Sequence, residues 1–199
     1  MVIKLILFDL GEVVEKHNIM GLSVYVEKKY KIDAEKFHRY LIDILRMNDK
    51  YAITDNEMLK RVNKQFNLKY TLKTFYNDYF KFISLHKDIL KFINDKLKNR
   101  YKIALFTNCR NIHVKHSIKL YHYDKIFDKI LVSQSYCTRK PEIRFYKIAL
   151  KEFNVKPNET IFIDDKLRNI IPARLLGINC IEYSNIKQLK KELLEYYVK

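Results

Sequence analysis

Four short stretches of this chain carry residues able to act on an anionic group. The first is Lys4-Leu5-Ile6-Leu7-Phe8-Asp9-Leu10-Gly11-Glu12-Val13-Val14, a branched apolar run that ends in a carboxylate and a glycine. Asp9 can serve there as a nucleophile, a metal ligand or both, or simply open a turn. Gly11 allows a sharp turn that would bring a main-chain carbonyl toward a cation. The others are Thr107-Asn108 after an apolar run, Lys140 before a helical pattern, and the tandem carboxylates Asp164-Asp165 after another apolar run. Two carboxylates and a backbone carbonyl make a set of hard oxygen donors suited to Mg2+. A hydroxyl, a lysine and helix N-termini make a pocket for a phosphoryl group. Together they would let Asp9 attack an electron-poor phosphorus and form an aspartyl-phosphate that water then hydrolyses.

For that chemistry the stretches must converge, and the predicted elements provide the means. Runs apolar on both faces read as strands buried in a parallel sheet. Strands are expected at Lys4–Phe8, Tyr101–Thr107, Lys129–Ser133, Thr160–Ile163 and Ile178–Glu182. Helices are expected at Lys87–Asn99, Asn111–Leu120, Glu142–Phe153, Leu167–Leu176 and Ile186–Tyr197. Pro141 suits the first turn of the third of these, and Gly177 the stop of the fourth. This β-α alternation predicts an α/β, Rossmann-like three-layer core with helices on both faces of a parallel sheet. All the polar stretches then fall on the rim at the strands' carboxyl ends.

Between Val14 and Lys102 strand signals are absent. Helical spacing covers Ile19–Lys29, Asp33–Met47, a segment opened by the Thr54…Glu57 capping pattern, and Leu72–Ile83, which is crowded with aromatic residues that read as bundle core. The expected organisation is a core of residues 1–16 and 86–199, with a helical cap inserted at 17–85.

The totals narrow the classes. A chain of 199 residues with 48% hydrophobic content can bury a sizeable core. No apolar run is long enough to span a membrane, and the N-terminal run, which carries Lys4 and ends in Asp9, does not read as a signal peptide. Cys109, Cys137 and Cys180 are odd in number and widely spaced. They suggest reduced thiols in a cytoplasmic protein and argue against a zinc site. The formal charge of +16 favours anionic ligands. It is spread along the chain, so a nucleic-acid partner is possible but not favoured over a small phosphorylated substrate. His113 and His116 share a helix face, yet with no acidic or cysteine partner nearby in sequence they read as surface or partly packed.

In order along the chain, FDLGEVV, LFTN, TRKPEIRFY and FIDDKLRNIIPARLLGI resemble the four motifs of the haloacid dehalogenase superfamily, and the helical insertion sits where that family carries its cap. RKPE-x-x-x-Y and DD-x-x-x-N are shared with alpha-D-glucose-1-phosphate phosphatases and with the N-terminal phosphatase domain of soluble epoxide hydrolases. The resemblance implies a magnesium-dependent phosphatase of small metabolites. By it, Asp9 is nucleophile and metal ligand, and the Gly11 carbonyl, Asp165 and Asp164 (directly or through water) complete the metal site. Thr107 and the Asn108 amide hold phosphoryl oxygens, Lys140 neutralises charge, and Asn169 steadies the fourth motif. Gly11 stands where most of these phosphatases have an acid/base aspartate. This departure leaves open a phosphate-binding protein with little turnover, and the charge leaves open an enzyme acting on nucleotides or nucleic-acid ends.

Overall fold

A computed structural model describes residues 2–49, 52–196 and 198. In chain order the elements are β1 (Leu5–Phe8), β2 (Glu15–His17), α1 (Ile19–Tyr30), α2 (Ala34–Asp49), α3 (Asp55–Phe66), α4 (Leu72–Phe80), β3 (Ile83–Leu85) and α5 (Lys87–Phe92). The last of these runs into a π-helical turn at Ile93–Leu97. Then come β4 (Lys102–Thr107), α6 (Asn111–Tyr121), α7 (Tyr123–Ile126), β5 (Lys129–Val132), α8 (Ser133–Tyr136), α9 (Ile143–Phe153), β6 (Thr160–Asp164), α10 (Leu167–Leu175), β7 (Asn179–Glu182) and α11 (Ile186–Glu195). The expected end of the last helix at Tyr197 lies outside the described residues.

The five-stranded sheet has the order β5-β4-β1-β6-β7, and every neighbouring pair is parallel. Strand residues alternate between the faces because successive side chains point in opposite directions. Ile6, Phe8, Ile103, Leu105, Ile161 and Ile163 pack on one face with Ile89, Ile93, Val114, Tyr123 and Leu189. Leu5, Leu7, Ala104, Phe106 and Phe162 pack on the other with Phe145, Tyr146, Ala149, Ile170 and Ala173. All four residues of β1 are fully buried, which is why its sequence lacks the alternation of a half-exposed strand. The chain leaves β1 for β4 and β5 on one side, then returns to β6 and β7 on the other. That reversal at β1 is a topological switch point, where open α/β sheets bind ligands beyond the strand ends.

Contacts divide the chain into two compact units, Met1–Glu15 with Leu85–Lys199, and Lys16–Ser84. Within the second unit, Thr54 caps α3 by accepting the Glu57 N–H at 3.2 Å. The Glu57 side chain turns to Arg61 at 2.9 Å and so makes only half of the expected box. Phe75, Tyr76 and Tyr79 are buried. The carboxylate of Asp78, also buried, accepts from Tyr25, Tyr70, Lys29 and Lys81 at 2.7–3.2 Å.

Three expectations change. Two three-residue strands, β2 and β3, pair where the sequence shows no strand signal, and the helix expected over Leu72–Ile83 ends at Phe80 so that Ile83 can enter β3. The helix expected over Lys87–Asn99 is α-helical only to Phe92. Pro141 lies before α9 and outside its first turn: α9 begins at Ile143, and the Lys140–Pro141 peptide is cis.

Candidate active site

The pairing register sets the rim. Phe8 pairs with Leu105 of β4 and Ile163 of β6, so Asp9 and Asp164 each lie one residue further along adjacent strands, and Thr107 two residues beyond Leu105. The Asp9 N–H donates to the Ile163 carbonyl at 2.9 Å, which extends the ladder to the carboxylate itself. Lys140 reaches the same place from the loop before α9. Its side chain is 1% exposed and passes over the rings of Phe106 and Phe162, with Nζ 5.5 and 5.2 Å from their centroids. Nζ donates to Asp9 Oδ1 and to Asp164 Oδ2, both at 2.7 Å. A buried ammonium needs compensation of this kind, since leaving one unpaired is strongly destabilising.

Of the three rim carboxylates, Asp164 receives the most hydrogen bonds. Besides Lys140 it accepts the Lys166 N–H at 2.9 Å, and Asn169 Nδ2 lies 2.9 Å from each of its oxygens. Asn169 is itself anchored through its carbonyl, which accepts from Tyr146 at 2.7 Å. Asp165 is less occupied, with Lys166 Nζ at 3.3 Å. Among the described residues, Asp9, Asp164 and Asp165 each offer a carboxylate oxygen, and these oxygens lie within 4.8 Å of one another. That spacing and donor chemistry suit a hard divalent cation.

Burial pushes the Asp9 carboxyl up from 3.8 to about 6; Lys140 opposes the shift and the Asp164 charge adds to it. For Lys140, burial works against the charged form, but Asp164 and Asp9 outweigh it and hold the ammonium above its ordinary value. Burial also raises Asp165, with Lys166 opposing and Asp164 adding. Three crowded carboxylates beside two ammonium groups, Lys140 and Lys166, still carry excess negative charge, the condition a bound cation relieves.

Thr107 is buried, and its Oγ1 accepts the Cys109 N–H at 3.0 Å, leaving its hydroxyl proton to donate elsewhere. Asn108 is already engaged: Nδ2 donates to the Lys140 carbonyl and Oδ1 accepts the Lys140 N–H, both at 2.9 Å. This side chain holds the Lys140 backbone, which leaves the Asn108 main-chain N–H as its group for an anion. The left-handed residue of the turn after β1 is Glu12, with φ +61°, and not Gly11. Sequence reasoning also missed buried His113. Its Nε2 lies 2.6 Å from Glu15, a carboxylate 98 positions away with no local signature. The three cysteines are free thiols. Among the described residues no helix is long and apolar enough to cross a membrane.

The family model described as haloacid dehalogenase-like hydrolase matches residues 18–183. The chain belongs to that family. As the matched span begins after Asp9, the place of Asp9 rests on the sheet register and on Lys140. This haloacid dehalogenase-like hydrolase is 24% identical to glyceraldehyde 3-phosphate phosphatase of Pyrococcus furiosus, over 98% of its own length and 87% of the relative's. It is 41% identical to sesquiterpene phosphatase astK of Aspergillus oryzae over a shorter stretch, 32% of this chain and 33% of that protein. Among solved structures it superposes on the HAD family enzyme bt-2542 of Bacteroides thetaiotaomicron with a TM-score of 0.78 and 24% identity, covering 92% of this chain and 95% of that one. The Bacteroides enzyme has also been solved with magnesium and inorganic phosphate.

Proposed function

We propose that this hydrolase is a magnesium-dependent phosphatase of a small phosphorylated metabolite, of the sugar phosphate type, acting through phosphorylated Asp9. The observation that carries the reading is one buried ammonium joining two carboxylates from adjacent strands at the switch point, with Asp165 beside them. The names of the relatives, both phosphatases, point the same way. Asp9, the Gly11 carbonyl and Asp165 would hold Mg2+. Asp164, whose oxygens already receive Lys140, Lys166 and Asn169, would orient Lys140 and reach the ion at most through water. The bound ion supplies charge neutralisation for a dianionic phosphoryl group.

Asp9, ionised and held by Lys140, attacks phosphorus through one oxygen as the ester P–O bond breaks and its electron pair leaves on the alkoxide. Lys140 and the donors at Thr107 and the Asn108 N–H meet the phosphoryl oxygens where negative charge gathers. Water then attacks phosphorus, the Asp9–phosphorus bond breaks, and hydrogen phosphate leaves with the Asp9 carboxylate restored; the proton that the water gives up to solvent balances the one the alkoxide takes from it. Gly11 offers no proton for the first leaving group, so esters of more acidic hydroxyls, such as the anomeric hydroxyl of a sugar 1-phosphate, are the favoured substrates. A panel of sugar phosphates and p-nitrophenyl phosphate, assayed with Mg2+ and with a chelator, tests the proposal. Turnover that needs Mg2+ and vanishes in Asp9→Asn supports it. Phosphate binding without turnover on any substrate overturns it.

A further inference from the structure

Glu15 lies outside this chemistry, yet it is fully buried and ionisable. Its carboxylate is met by Ser117 Oγ at 2.7 Å, Tyr123 OH at 2.9 Å and His113 Nε2 at 2.6 Å. His113 and Ser117 are four residues apart on α6 and so project from one face. Tyr123 opens α7. Burial and the Glu15 charge together raise the Tyr123 hydroxyl, which keeps it a donor. A buried carboxylate with fewer partners would be strongly destabilising.

The backbone of the same residue closes the turn that follows Asp9. The Glu15 N–H donates to the Leu10 carbonyl at 2.8 Å, the Glu15 carbonyl accepts the Glu12 N–H at 2.6 Å, and Gly11 and Glu15 form a β-bridge. Together with the Val14 N–H, which also donates to the Leu10 carbonyl at 2.9 Å, Glu15 closes the turn containing Gly11 through its main chain. Through its side chain it ties that turn to α6, the helix entered directly after Thr107 and Asn108.

We propose that Glu15 is a positioning residue: gripped by His113, Ser117 and Tyr123, it sets the place of the Gly11 carbonyl relative to the Thr107–Asn108 segment and so the geometry of the divalent-cation site. The inference rests on the reading that Asp9 and Gly11 hold that cation. The decisive measurement is Mg2+ affinity of the full chain by calorimetry without substrate, together with kcat and KM for p-nitrophenyl phosphate, in Glu15→Gln, Ser117→Ala and Tyr123→Phe. Each of the last two removes a single donor and keeps the test available if Glu15→Gln fails to fold. Asp78→Asn is the control, because it weakens an equally well-bonded buried carboxylate in the other unit. The expected result is Mg2+ affinity weakened about tenfold in Glu15→Gln, less in the single-donor variants, and unchanged in Asp78→Asn. In the same variants kcat should fall with little change in KM. Melting temperatures that fall while Mg2+ affinity stays at the wild-type value overturn the inference and leave the phosphatase reading standing. Equal weakening in Asp78→Asn also overturns it. Wild-type protein that binds no Mg2+ overturns the reading of the cation site and this inference with it.

Discussion

Asp9→Asn should abolish turnover and at the same time stabilise the metal-free protein. The isosteric amide still offers an oxygen to Lys140 Nζ, now 2.7 Å from Asp9 Oδ1, but carries no charge. In the native chain the Asp9 carboxyl is raised from 3.8 to about 6. Below the lower value both folded and unfolded states hold the proton, and stability is unaffected. Between the two the unfolded chain releases the proton first, so stability falls as pH rises. Above about 6 the whole penalty is present. A shift of roughly two units, at about 1.4 kcal/mol each, comes to about 3 kcal/mol at pH 7.5. For a chain of this size that corresponds to a melting temperature some 6–12 °C above wild type, as an order-of-magnitude figure. Differential scanning calorimetry in chelator at pH 7.5 and pH 4 reads the effect directly. The advantage of the variant should be large at the higher pH and nearly gone at the lower. Addition of Mg2+ should raise wild type and leave Asp9→Asn where it was. A variant no more stable than wild type at pH 7.5 would refute the claim that the nucleophile is held at an electrostatic disadvantage.

Other outcomes follow from the same contacts. Mg2+ affinity should weaken by roughly tenfold for each pH unit below about 6, because Asp9 must lose its proton to bind the ion; calorimetric titration from pH 5 to 8 checks it. Lys140→Met should destabilise the fold by about 3–5 kcal/mol, since Asp9 and Asp164 lose their shared counter-charge, and should abolish turnover; urea unfolding measures the first part. Asn169→Leu, which removes the Nδ2 contacts to Asp164, should lower stability by roughly 1–3 kcal/mol and reduce kcat more than it changes KM.

The sheet and most of its rim were legible because parallel strands buried on both faces write themselves as continuous apolar runs. The polar residue that ends each run must then emerge at one edge. Asp9, Thr107 and Asp164 were found this way, and Lys140 through the proline and helix that follow it. Elements resting on pairing alone were hidden. β2 and β3 are three residues each, too short to show a period, and Ile83 looks like the end of an aromatic helix until its partner strand is known. Glu15 and His113 are unremarkable in sequence, since the bond between them depends on α6 lying beside the turn after β1. The Asn108 side chain is a further case: its amide matches the Lys140 peptide group in both donor and acceptor, across 32 positions of sequence. Glu12 takes the left-handed conformation in the turn after β1 with no sequence signal for it, and its N–H reaches the Glu15 carbonyl.

The central claim is that the aspartate at the end of β1 becomes bonded to phosphorus. The most direct test is an acid quench of the enzyme during turnover of p-nitrophenyl phosphate with Mg2+, followed by peptic digestion and mass spectrometry. One phosphoryl group should appear on the peptide containing Asp9, disappear when turnover is allowed to finish, and be absent in Asp9→Asn. Turnover with no phosphoryl group on that peptide, or with the group on another residue, would contradict the account.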